Sequence, residues 1–432
     1  MSRTKKYKLN KSKTHIRSKK SKKTTKVNKT IKNNQTTARI IIKDNVGGIV
    51  ADKNTIKELL EHNGFKVEVV VYNDIKDTKK NNVLKTKVKF DKVTIQLFIE
   101  HIILEHPLDT FPAEKSYIFV NQEYIQDWDI ARMLDKTVFP LCKTHESLKT
   151  LRNLGIMNSK YVGFGNNRKN EYVDTITKLP NLFIHIVGAS PMKGTRTLID
   201  TWIQKKINHP LVITANNKSY GNTNLFNYWK SLKPKVKLLP DSLLHKWEEW
   251  KKITNSNMNN TNTISLPQFE SLDSCEIYFC NTVLDYSVIQ FLQTVADVHL
   301  CPSLIEGWGQ YIDEGRRAKA VVLTLDAAPM NELIRDRTDT ATGVLVKASK
   351  GPTMSQLLPY GWRQYFTKTK DYTKYLYTTY KTTTNDLYNG ISRILKMSPE
   401  HKRQLGNNAF KQSQKDYELF TKLFTKVILD RQ

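Results

Sequence analysis

From Arg39 onward, the chain alternates short apolar runs with segments of helical periodicity. The segment ARIIIKDNVGGIVADKNTIKELLEHNGFKVEVVVYND contains two apolar runs, separated by a glycine pair and by Ile56, Leu59 and Leu60 at helical spacing. Apolar residues three and four positions apart share one helix face, and Gly64 follows as a helix stop. The pattern predicts a strand, a glycine turn, a helix and a second strand, which together form a βαβ unit.

The same alternation continues through two successive α/β series. In the first series, apolar runs at 93–103, 116–124 and 137–144 predict strands. The segments IQDWDIARML and HESLKTLRNLG predict short helices between and after them. The predicted fold class is therefore α/β, with a doubly wound first half.

The second series repeats this pattern. We expect strands at 182–187, 210–215 and 297–301, with a helix after Gly194. Two helical segments, LYNGISRILKM and EHKRQLGNNAFKQSQKDYELFTKLFTKVIL, follow a Thr- and Tyr-rich connection. The two doubly wound halves thus follow one another along the chain.

The predicted organisation has four parts. They are a disordered basic tail over 1–38, a Rossmann-like acceptor domain over 39–170, a Rossmann-like donor-binding domain over 171–400, and a C-terminal helix over 401–432 that packs back on the first domain. Within the second domain, the Asn-, Lys-, Ser- and Thr-rich stretch 216–274 is expected to be a partly ordered insertion around one amphipathic helix near LLHKWEEWKKI.

The positive charge is concentrated at the beginning of the chain. The formal net charge of the 432 residues is +28, and residues 1–38 contain many Lys and Arg residues but no Asp or Glu. A self-repelling segment with few large apolar side chains cannot offset its ordering entropy, so we expect it to be disordered. Its Lys, Asn, Thr and Ile bias is typical of an AT-rich genome, such as that of a large DNA virus.

The sequence carries no pattern typical of export or of a membrane span. No apolar region follows the basic stretch, and apolar runs such as QLFIEHIIL are short and interrupted by charge. The four cysteines fit a reducing compartment, and the five-residue spacing of Cys275 and Cys280 matches a zinc site poorly. We therefore expect a soluble cytoplasmic protein, in the host cytoplasm if viral, without a metal or cofactor.

The segment CPSLIEGWGQYIDEG, residues 301–315, carries the most specific chemistry. It places Glu306 in a loop after a predicted strand and Glu314 in a helix that begins near Gly309. A carboxylate accepts two hydrogen bonds from the vicinal hydroxyls of a sugar or ribose, and a helix amino terminus binds phosphate. Lys193 precedes a helix in the same half and would stabilise a departing diphosphate. These features predict a nucleotide-sugar site.

Several segments resemble one enzyme family. PSLIEGWGQYIDEG resembles the E-G-F-G-x-x-x-x-E segment of retaining glycosyltransferases of the family 4 type, and IHIVGASPMKGT resembles their V-G-R-x-x-x-x-K-G segment. NVGGI is similar to the first-domain glycine loop of that family, and LGNNAF…YELF to its closing helix. The resemblance spans residues 39–430 without the insertion. It implies the GT-B fold, in which two Rossmann-like domains face each other and the second mainly holds the donor.

The resemblance also implies an activity and assigns site residues. It implies metal-independent transfer of a hexose, with retention, from a UDP- or GDP-sugar to a hydroxyl of an unknown glycan, protein or lipid acceptor. Glu306 would contact the donor sugar, Glu314 the ribose and Lys193 the diphosphate, while His101 would act at the cleft. The other predicted donor-binding residues are Gly188, Ser190, Gly307, Trp308 and Gly309. Those predicted for the diphosphate or acceptor side are Gly47, Gly48, Glu123 and Lys143.

Two departures from the family pattern concern the phosphate site. The Arg that follows the first glycine in the family is Ala189 here, and this loop is one residue shorter. After Glu314, the customary Gly and Pro of the family are both missing. Arg316, Arg317 and Arg196 are therefore alternative phosphate ligands, unless the site is weakened.

Simpler interpretations stay open at this stage. Gly47 and Gly48 also fit an ordinary turn, Lys193 a surface lysine, His101 a packed histidine and Trp308 a core residue. A second function also fits the chain: a catalytically degenerate GT-B-fold protein that binds nucleic acid or another anionic surface through its basic tail.

Overall fold

The computed structural model describes the two α/β halves. The described residues are 36–42, 47–71, 78–80, 83–85, 90–102, 111–125, 127–188, 190–215, 227–228, 231–232, 236–238, 277–280, 284–336, 339–353 and 378–430. The predicted tail up to residue 35, Ala189 and the predicted helix near LLHKWEEWKKI lie outside them. None of the described helices is long and apolar enough to cross a membrane.

The first half is built on a six-stranded parallel sheet with the strand order β2-β1-β5-β6-β7-β8. Its strands are β1 (Thr37–Ile42), β2 (Lys66–Val71), β5 (Val93–Ile99), β6 (Ala113–Val120), β7 (Phe139–Cys142) and β8 (Lys160–Tyr161). A separate antiparallel pair joins β3 (Thr78–Lys80) and β4 (Val83–Lys85). The apolar runs form strands because both faces of a parallel sheet are covered, which buries side chains on either face.

Three helices accompany this sheet: α1 (Gly47–His62), α2 (Asp127–Leu134) and α3 (His145–Asn153). The three apolar residues predicted for the inner face of α1 are buried. α1 ends before Gly64, whose φ of +83° favours glycine. α3 begins with a cap in which Thr144 Oγ1 accepts a hydrogen bond from the Ser147 amide at 3.0 Å. The glycine stop signal after α1 therefore acts where it was expected.

The second half contains a seven-stranded parallel sheet with the order β11-β12-β10-β9-β13-β14-β15. Its strands are β9 (Leu179–Gly188), β10 (Leu211–Ala215), β11 (Val236–Leu238), β12 (Ile277–Cys280), β13 (Ala296–Cys301), β14 (Val321–Leu325) and β15 (Gly343–Val346). An antiparallel pair joins β16 (Ser349–Thr353) and β17 (Thr378–Lys381). Its helices are α4 (Thr195–Gln204), α5 (Tyr286–Val295), α6 (Gln310–Arg317), α7 (Met330–Leu333) and α8 (Thr384–Leu395).

The last helix, α9 (Pro399–Leu429), contacts both halves. Near its start, Lys402 Nζ donates to Asp297 Oδ2 of the second half at 2.9 Å. Near its end, the rings of Phe420 and Phe424 lie 6.1 and 5.6 Å from the ring of Phe119 on β6. Buried side chains of both sheets and of α9 belong to one hydrophobic cluster. The helix therefore returns from the second half to the core of the first.

The α/β class with two Rossmann-like parallel sheets is confirmed, and four local differences have physical reasons. β1 begins at Thr37 rather than Arg39 because Ala38 is already buried and paired with Val67. β5 ends at Ile99 rather than 103, since Glu100 has a φ of +75°. Gly47 and Gly48 begin α1 instead of forming a separate turn. β11 is a three-residue edge strand inside the predicted insertion, too short to produce an apolar run.

Candidate functional site

The candidate site lies at the topological switch points of the two sheets. In the first sheet, β2 lies on one side of β1, and the chain then crosses over so that β5 lies on the other side of β1. In the second sheet, β10 and β13 lie on the two sides of β9 in the same way. Ligands of open parallel sheets bind beyond the carboxyl ends of the strands at such a point. A cleft of about 610 Å³ lies there and is lined by residues from both halves.

Two helix starts shape the side of the cleft formed by the second half, which we call the second-half wall. Gly309 precedes α6 with a φ of +102°, and Gly194 precedes α4 with a φ of +72°, conformations that favour glycine. A Cβ atom at Gly194 would lie 2.1 Å from the carbonyl oxygen of Pro302. The Leu304 amide donates to the Met192 carbonyl at 2.8 Å. The loops after β9 and β13 are therefore fastened to each other.

Glu306 lies at the centre of a hydrogen-bonded group on this wall. Its Oε1 atom accepts hydrogen bonds from Lys193 Nζ and Ser303 Oγ. Ser303 Oγ lies 2.5 Å from Tyr311 Oη, and Lys193 Nζ lies 4.0 Å from the centroid of the Tyr311 ring. Charge-assisted hydrogen bonds and a cation–π contact together fix the orientation of the carboxylate and the ammonium. The predicted pair Lys193 and Glu306 is thus brought together.

Glu314 lines the same cleft from the first turns of α6. Its Oε2 atom accepts a hydrogen bond from Gln293 Nε2 at 2.8 Å, and its Oε1 atom accepts one from Gln310 Nε2 at 3.3 Å. Burial raises the pKa of the Glu314 carboxyl above its usual range, and the hydrogen bond from Gln293 opposes that shift. Glu306 and Glu314 therefore present two oriented carboxylates to one cavity, an arrangement suited to the hydroxyls of a ligand.

The opposite side of the cleft, the first-half wall, is a network of polar side chains. Lys143 Nζ donates to Asp52 Oδ2 and, at 2.8 Å, to Asn121 Oδ1, while Asn121 Nδ2 donates to Glu100 Oε1 at 3.2 Å. These residues come from α1 and from the ends of β5, β6 and β7. Glu100 holds a left-handed backbone conformation, which is uncommon for a residue other than glycine. The network fixes the side chains of this wall relative to each other.

Glu123 completes the first-half wall and contacts the second. A Cβ atom at Gly307 would lie 2.5 Å from Glu123 Oε2 and 2.8 Å from Asn121 Oδ1, so glycine permits a close approach of the two halves. Glu123 Oε2 is buried and has no hydrogen-bond partner. Burial, assisted by the neighbouring charges of Glu306 and Glu100, raises the pKa of Glu123 to about 8. Its carboxyl group is therefore mostly protonated at neutral pH.

Most of the predicted site residues line this cleft. They are Gly48, Glu123, Lys143, Gly188, Ser190, Lys193, Glu306, Gly307, Trp308, Gly309 and Glu314. Gly48 lies beside Gln310 of the opposite wall, because a Cβ atom there would be 2.6 Å from the Gln310 side-chain oxygen. Trp308 lines the cleft and also packs into the core, with its ring 4.9 Å from that of Phe164. Its two interpretations are therefore compatible.

Gly47 and His101 are not among the described residues that line the cleft. Gly47 lies at the first position of α1, next to the lining residue Gly48. His101 is buried, with Nδ1 3.2 Å from Asp129 Oδ2 and Nε2 4.0 Å from Glu100 Oε2. This placement favours the packed-histidine interpretation, and a catalytic role of His101 stays a prediction.

The three arginines considered as alternative phosphate ligands have other surroundings. Arg316 is fully buried and donates to Asp416 of α9. Arg196 is exposed and lies over the ring of Tyr228 at 4.7 Å. Arg317 is not among the described residues that line the cleft. None of the three arginines is therefore among the described residues that line the cleft.

A different arginine lines the cleft, and sequence reasoning missed it. The Arg168 guanidinium lies 5.2 Å from the centroid of the Tyr286 ring, and Tyr286 also lines the cleft. The positive charge of Arg168 opposes the rise that burial causes in the pKa of Glu314. Asp52, Asn121 and Glu100 were missed as well. No local motif marks these residues, because each reaches the cleft only through the fold.

Comparison with solved structures identifies the architecture as the GT-B fold. The sucrose-phosphate synthase of Thermosynechococcus elongatus superposes with a TM-score of 0.51 at 11% identity, over 91% of this chain and 98% of that one. Anabaena HepE in complex with UDP gives 0.52 at 12% identity, over 91% and 99%. An E. coli trehalose-6-phosphate structure bound with UDP-2-fluoro glucose gives 0.51 at 10% identity, over 91% and 99%.

Sequence comparison adds no family. No protein-family model matches the chain, and no curated protein sequence is significantly similar to it. At 10–12% identity, the structural likeness establishes the fold of the chain, two facing Rossmann-like domains. Membership of the family 4 type therefore stays a prediction from the motifs.

Proposed function

We propose that the protein is a glycosyltransferase that moves a hexose from a nucleotide-sugar donor to a hydroxyl group of an acceptor. The observation that carries this proposal is the convergence of Glu306, Glu314 and Lys193 on one cleft between two Rossmann-like halves. Two carboxylates suit two sets of vicinal hydroxyls, and the ammonium suits the diphosphate between them. The geometry thus fits the three chemical parts of a nucleotide sugar.

Each part of the donor has a candidate partner. Glu314 accepts hydrogen bonds from the ribose hydroxyls, and Glu306 accepts them from the hexose. The amides at the start of α6 and the Lys193 ammonium face the diphosphate, where a helix amino terminus stabilises negative charge. Lys193 is held by Glu306, so binding of a diphosphate shifts the ammonium from one anionic partner toward another.

We further assign the reaction as retaining and independent of metal, as the motif resemblance implies. The bond between the anomeric carbon and the diphosphate oxygen breaks, and a bond from the acceptor oxygen to the same face of that carbon forms. The acceptor proton passes to the leaving phosphate. Lys193 stabilises the charge that develops on the leaving diphosphate, which lowers the barrier.

The donor is a UDP- or GDP-hexose in this proposal. Two structural neighbours support a uridine nucleotide, since HepE is in complex with UDP and the E. coli protein is bound with UDP-2-fluoro glucose. Because residues 1–35 lie outside the described part of the chain, binding of an anionic surface by the basic tail stays a separate prediction. It requires binding that weakens steeply with salt and is lost on deleting residues 1–38.

A screen of nucleotide sugars tests the proposal. Thermal stabilisation should single out a nucleotide sugar, and the same compound should be hydrolysed or used for transfer by the purified protein. A ligand at 100 times its dissociation constant should raise the free energy of unfolding by about 2.7 kcal/mol. A complete panel of UDP-, GDP- and ADP-sugars that neither stabilises the protein nor is turned over contradicts the assignment.

A further inference from the structure

We propose that the acceptor is an uncharged polyhydroxyl compound, such as a sugar without phosphate or carboxylate groups, and that Glu100 and Glu123 bind it. This inference rests on the proposed function and concerns the other side of the same cleft. It assigns a substrate class to the first-half wall and adds Glu100 to the residues that recognise it.

The charged groups of the first-half wall disfavour an anionic acceptor. Three of its described residues carry a carboxyl group, Asp52, Glu100 and Glu123, and Lys143 carries a positive charge. Arg168 also lines the cleft, but its guanidinium lies over the Tyr286 ring of the second half. That ammonium is already paired with Asp52 and lies 4.9 Å from the centroid of the Phe164 ring. Because Glu123 is mostly protonated at neutral pH, a phosphorylated acceptor would meet the Glu100 carboxylate and no unpaired cation among the described residues of this wall, and like charges brought together at an interface are unfavourable.

Glu123 and Glu100 give the first-half wall hydrogen-bonding capacity that suits hydroxyl groups. Glu123 Oε2 is a buried polar atom without a partner, although the side chain borders the cleft. A buried polar atom left unpaired is costly, and a ligand hydroxyl removes that cost. With a pKa of about 8, Glu123 also carries a proton that it can donate to a hydroxyl oxygen. Glu100, whose Oε1 accepts only from Asn121 at 3.2 Å among the hydrogen bonds described for it, accepts from a neighbouring hydroxyl.

The position of Glu123 would place an acceptor next to the donor. Glu123 approaches Gly307, the residue after Glu306, so the first-half wall meets the second-half wall at the proposed sugar end of the donor. An acceptor hydroxyl held by Glu123 would lie on the side of the cleft that faces the transferred hexose. Glu100, at the end of β5, accepts from Asn121, which in turn accepts from Lys143, so these side chains form one continuous polar surface.

Matched acceptor pairs test the inference on the full chain. Transfer from the identified donor is measured to glucose and glucose 6-phosphate, to mannose and mannose 6-phosphate, and to an array of uncharged oligosaccharides with phosphorylated counterparts. We expect kcat/KM for each uncharged acceptor to exceed that of its phosphorylated partner by at least about 10-fold. A phosphorylated acceptor used as well as its parent overturns the inference, as does donor hydrolysis without transfer to any uncharged polyol.

A variant separates acceptor recognition from a structural effect. Glu100→Gln should raise the acceptor KM at least about 10-fold, by more than it changes the donor KM, and should narrow the preference for uncharged acceptors. Glu114→Gln, the same change at an exposed position on β6, is the matched control. Equal changes in both KM values, or an unchanged acceptor preference, overturn the role of Glu100. If no nucleotide sugar binds or reacts at all, the proposed function itself fails, and this inference fails with it.

Discussion

The two walls of the cleft are built in different ways. The second-half wall takes Ser303, Glu306, Tyr311 and Glu314 from one continuous stretch, and its carboxylates are held by neighbours such as Lys193. The first-half wall collects single side chains from one helix and several strand ends, and it leaves Glu123 Oε2 without a partner. The second-half wall is centred on a local motif, and the first-half wall exists only after folding.

This difference determines what each wall can do before a ligand arrives. The second-half wall has its carboxylates oriented by paired donors, which reduces the reorganisation needed to bind a charged donor. The first-half wall keeps unused hydrogen-bonding capacity, which suits a ligand that supplies hydroxyls. If the two walls differ in this way, substitutions on the second-half wall should mainly change the kinetic constants for the donor, and substitutions on the first-half wall those for the acceptor.

The largest effect is expected from Glu306→Gln. The amide keeps the size of the side chain but loses the charge that pairs with Lys193 and accepts from Ser303. We expect kcat/KM for the donor to fall by about 10²- to 10³-fold, because an oriented charged group at the reacting centre is lost. Glu418→Gln, on an exposed turn of α9, controls for the same chemical change. Turnover equal to that of the wild type would remove Glu306 from the site.

Gly194→Ala tests the rigidity of the second-half wall. The added Cβ would meet the Pro302 carbonyl oxygen at 2.1 Å and would sit at a φ of +72°. Strain and overpacking together should lower the free energy of unfolding by about 3 kcal/mol. Gly64→Ala isolates the strain, since Gly64 has a φ of +83° but no atom within 4 Å of the added Cβ, and it should cost about 1 kcal/mol. Denaturant unfolding measures both, and equal costs would contradict the tight contact.

Gln293→Leu tests the positioning of Glu314. The substitution removes the donor at 2.8 Å and leaves a buried carboxylate with fewer hydrogen bonds. We expect the donor KM to rise about 10-fold, since a hydrogen bond to a charged group contributes about 1.5–3 kcal/mol. Gln290→Leu, one turn earlier on α5, is the control, because Gln290 donates to the Lys169 carbonyl instead. Nucleotide affinity unchanged in Gln293→Leu would separate Glu314 from donor binding.

Glu123→Gln tests the first-half wall through pH. Folded Glu123 keeps its proton up to about pH 8, whereas an unfolded glutamate loses it near its usual value of 4.5. Unfolding therefore releases a proton between these values, so the stability of the wild type falls as pH rises through the window.

The variant lacks this titration and should gain about 1 kcal/mol relative to the wild type from pH 6 to pH 7. Denaturant unfolding at pH 5, 6, 7 and 8 measures the difference, with Glu114→Gln as the exposed control. Glu306, Glu100 and Lys143 are the charged groups around Glu123. If the unfolding free energies of the wild type and of Glu123→Gln change with pH in parallel, Glu123 is ionised in the folded protein and the prediction is wrong.

The smallest effect is expected away from the cleft, from Glu332→Gln. The Glu332 carboxylate on α7 accepts hydrogen bonds from the His145 and Glu146 amides at 2.7 and 2.9 Å, so the second half caps α3 of the first. Loss of the charge at a helix start should cost about 0.5–1 kcal/mol. Glu171→Gln, at an exposed turn, is the control, and equal unfolding free energies in the two variants would show that this cap contributes nothing.

The sequence predicted the fold well where apolar runs are long. β5 and β13 read as strands because both faces of their sheets are buried. β11 was missed since three residues produce no pattern, and β5 was extended too far since Glu100 interrupts the strand through tertiary contacts rather than local propensity.

The candidate site was predictable in proportion to how local it is. Glu306 and Glu314 are separated by one glycine-rich turn, so their joint placement could be expected from spacing alone. Arg168 and Glu100 are distant from that motif along the chain, and only the switch-point topology brings them to the same cleft. The interior position of Arg316 was equally hidden, because its burial depends on α9, whereas a packed His101 was already one of the interpretations open from the sequence.

The path of α9 has a consequence for biosynthesis. Phe420 and Phe424 complete the aromatic packing around Phe119, although β6 precedes them by some three hundred positions. During translation the first sheet therefore emerges long before the side chains that close its core, and it exposes apolar surface in the interval. Chaperone dependence should fall only when this last segment has left the ribosome.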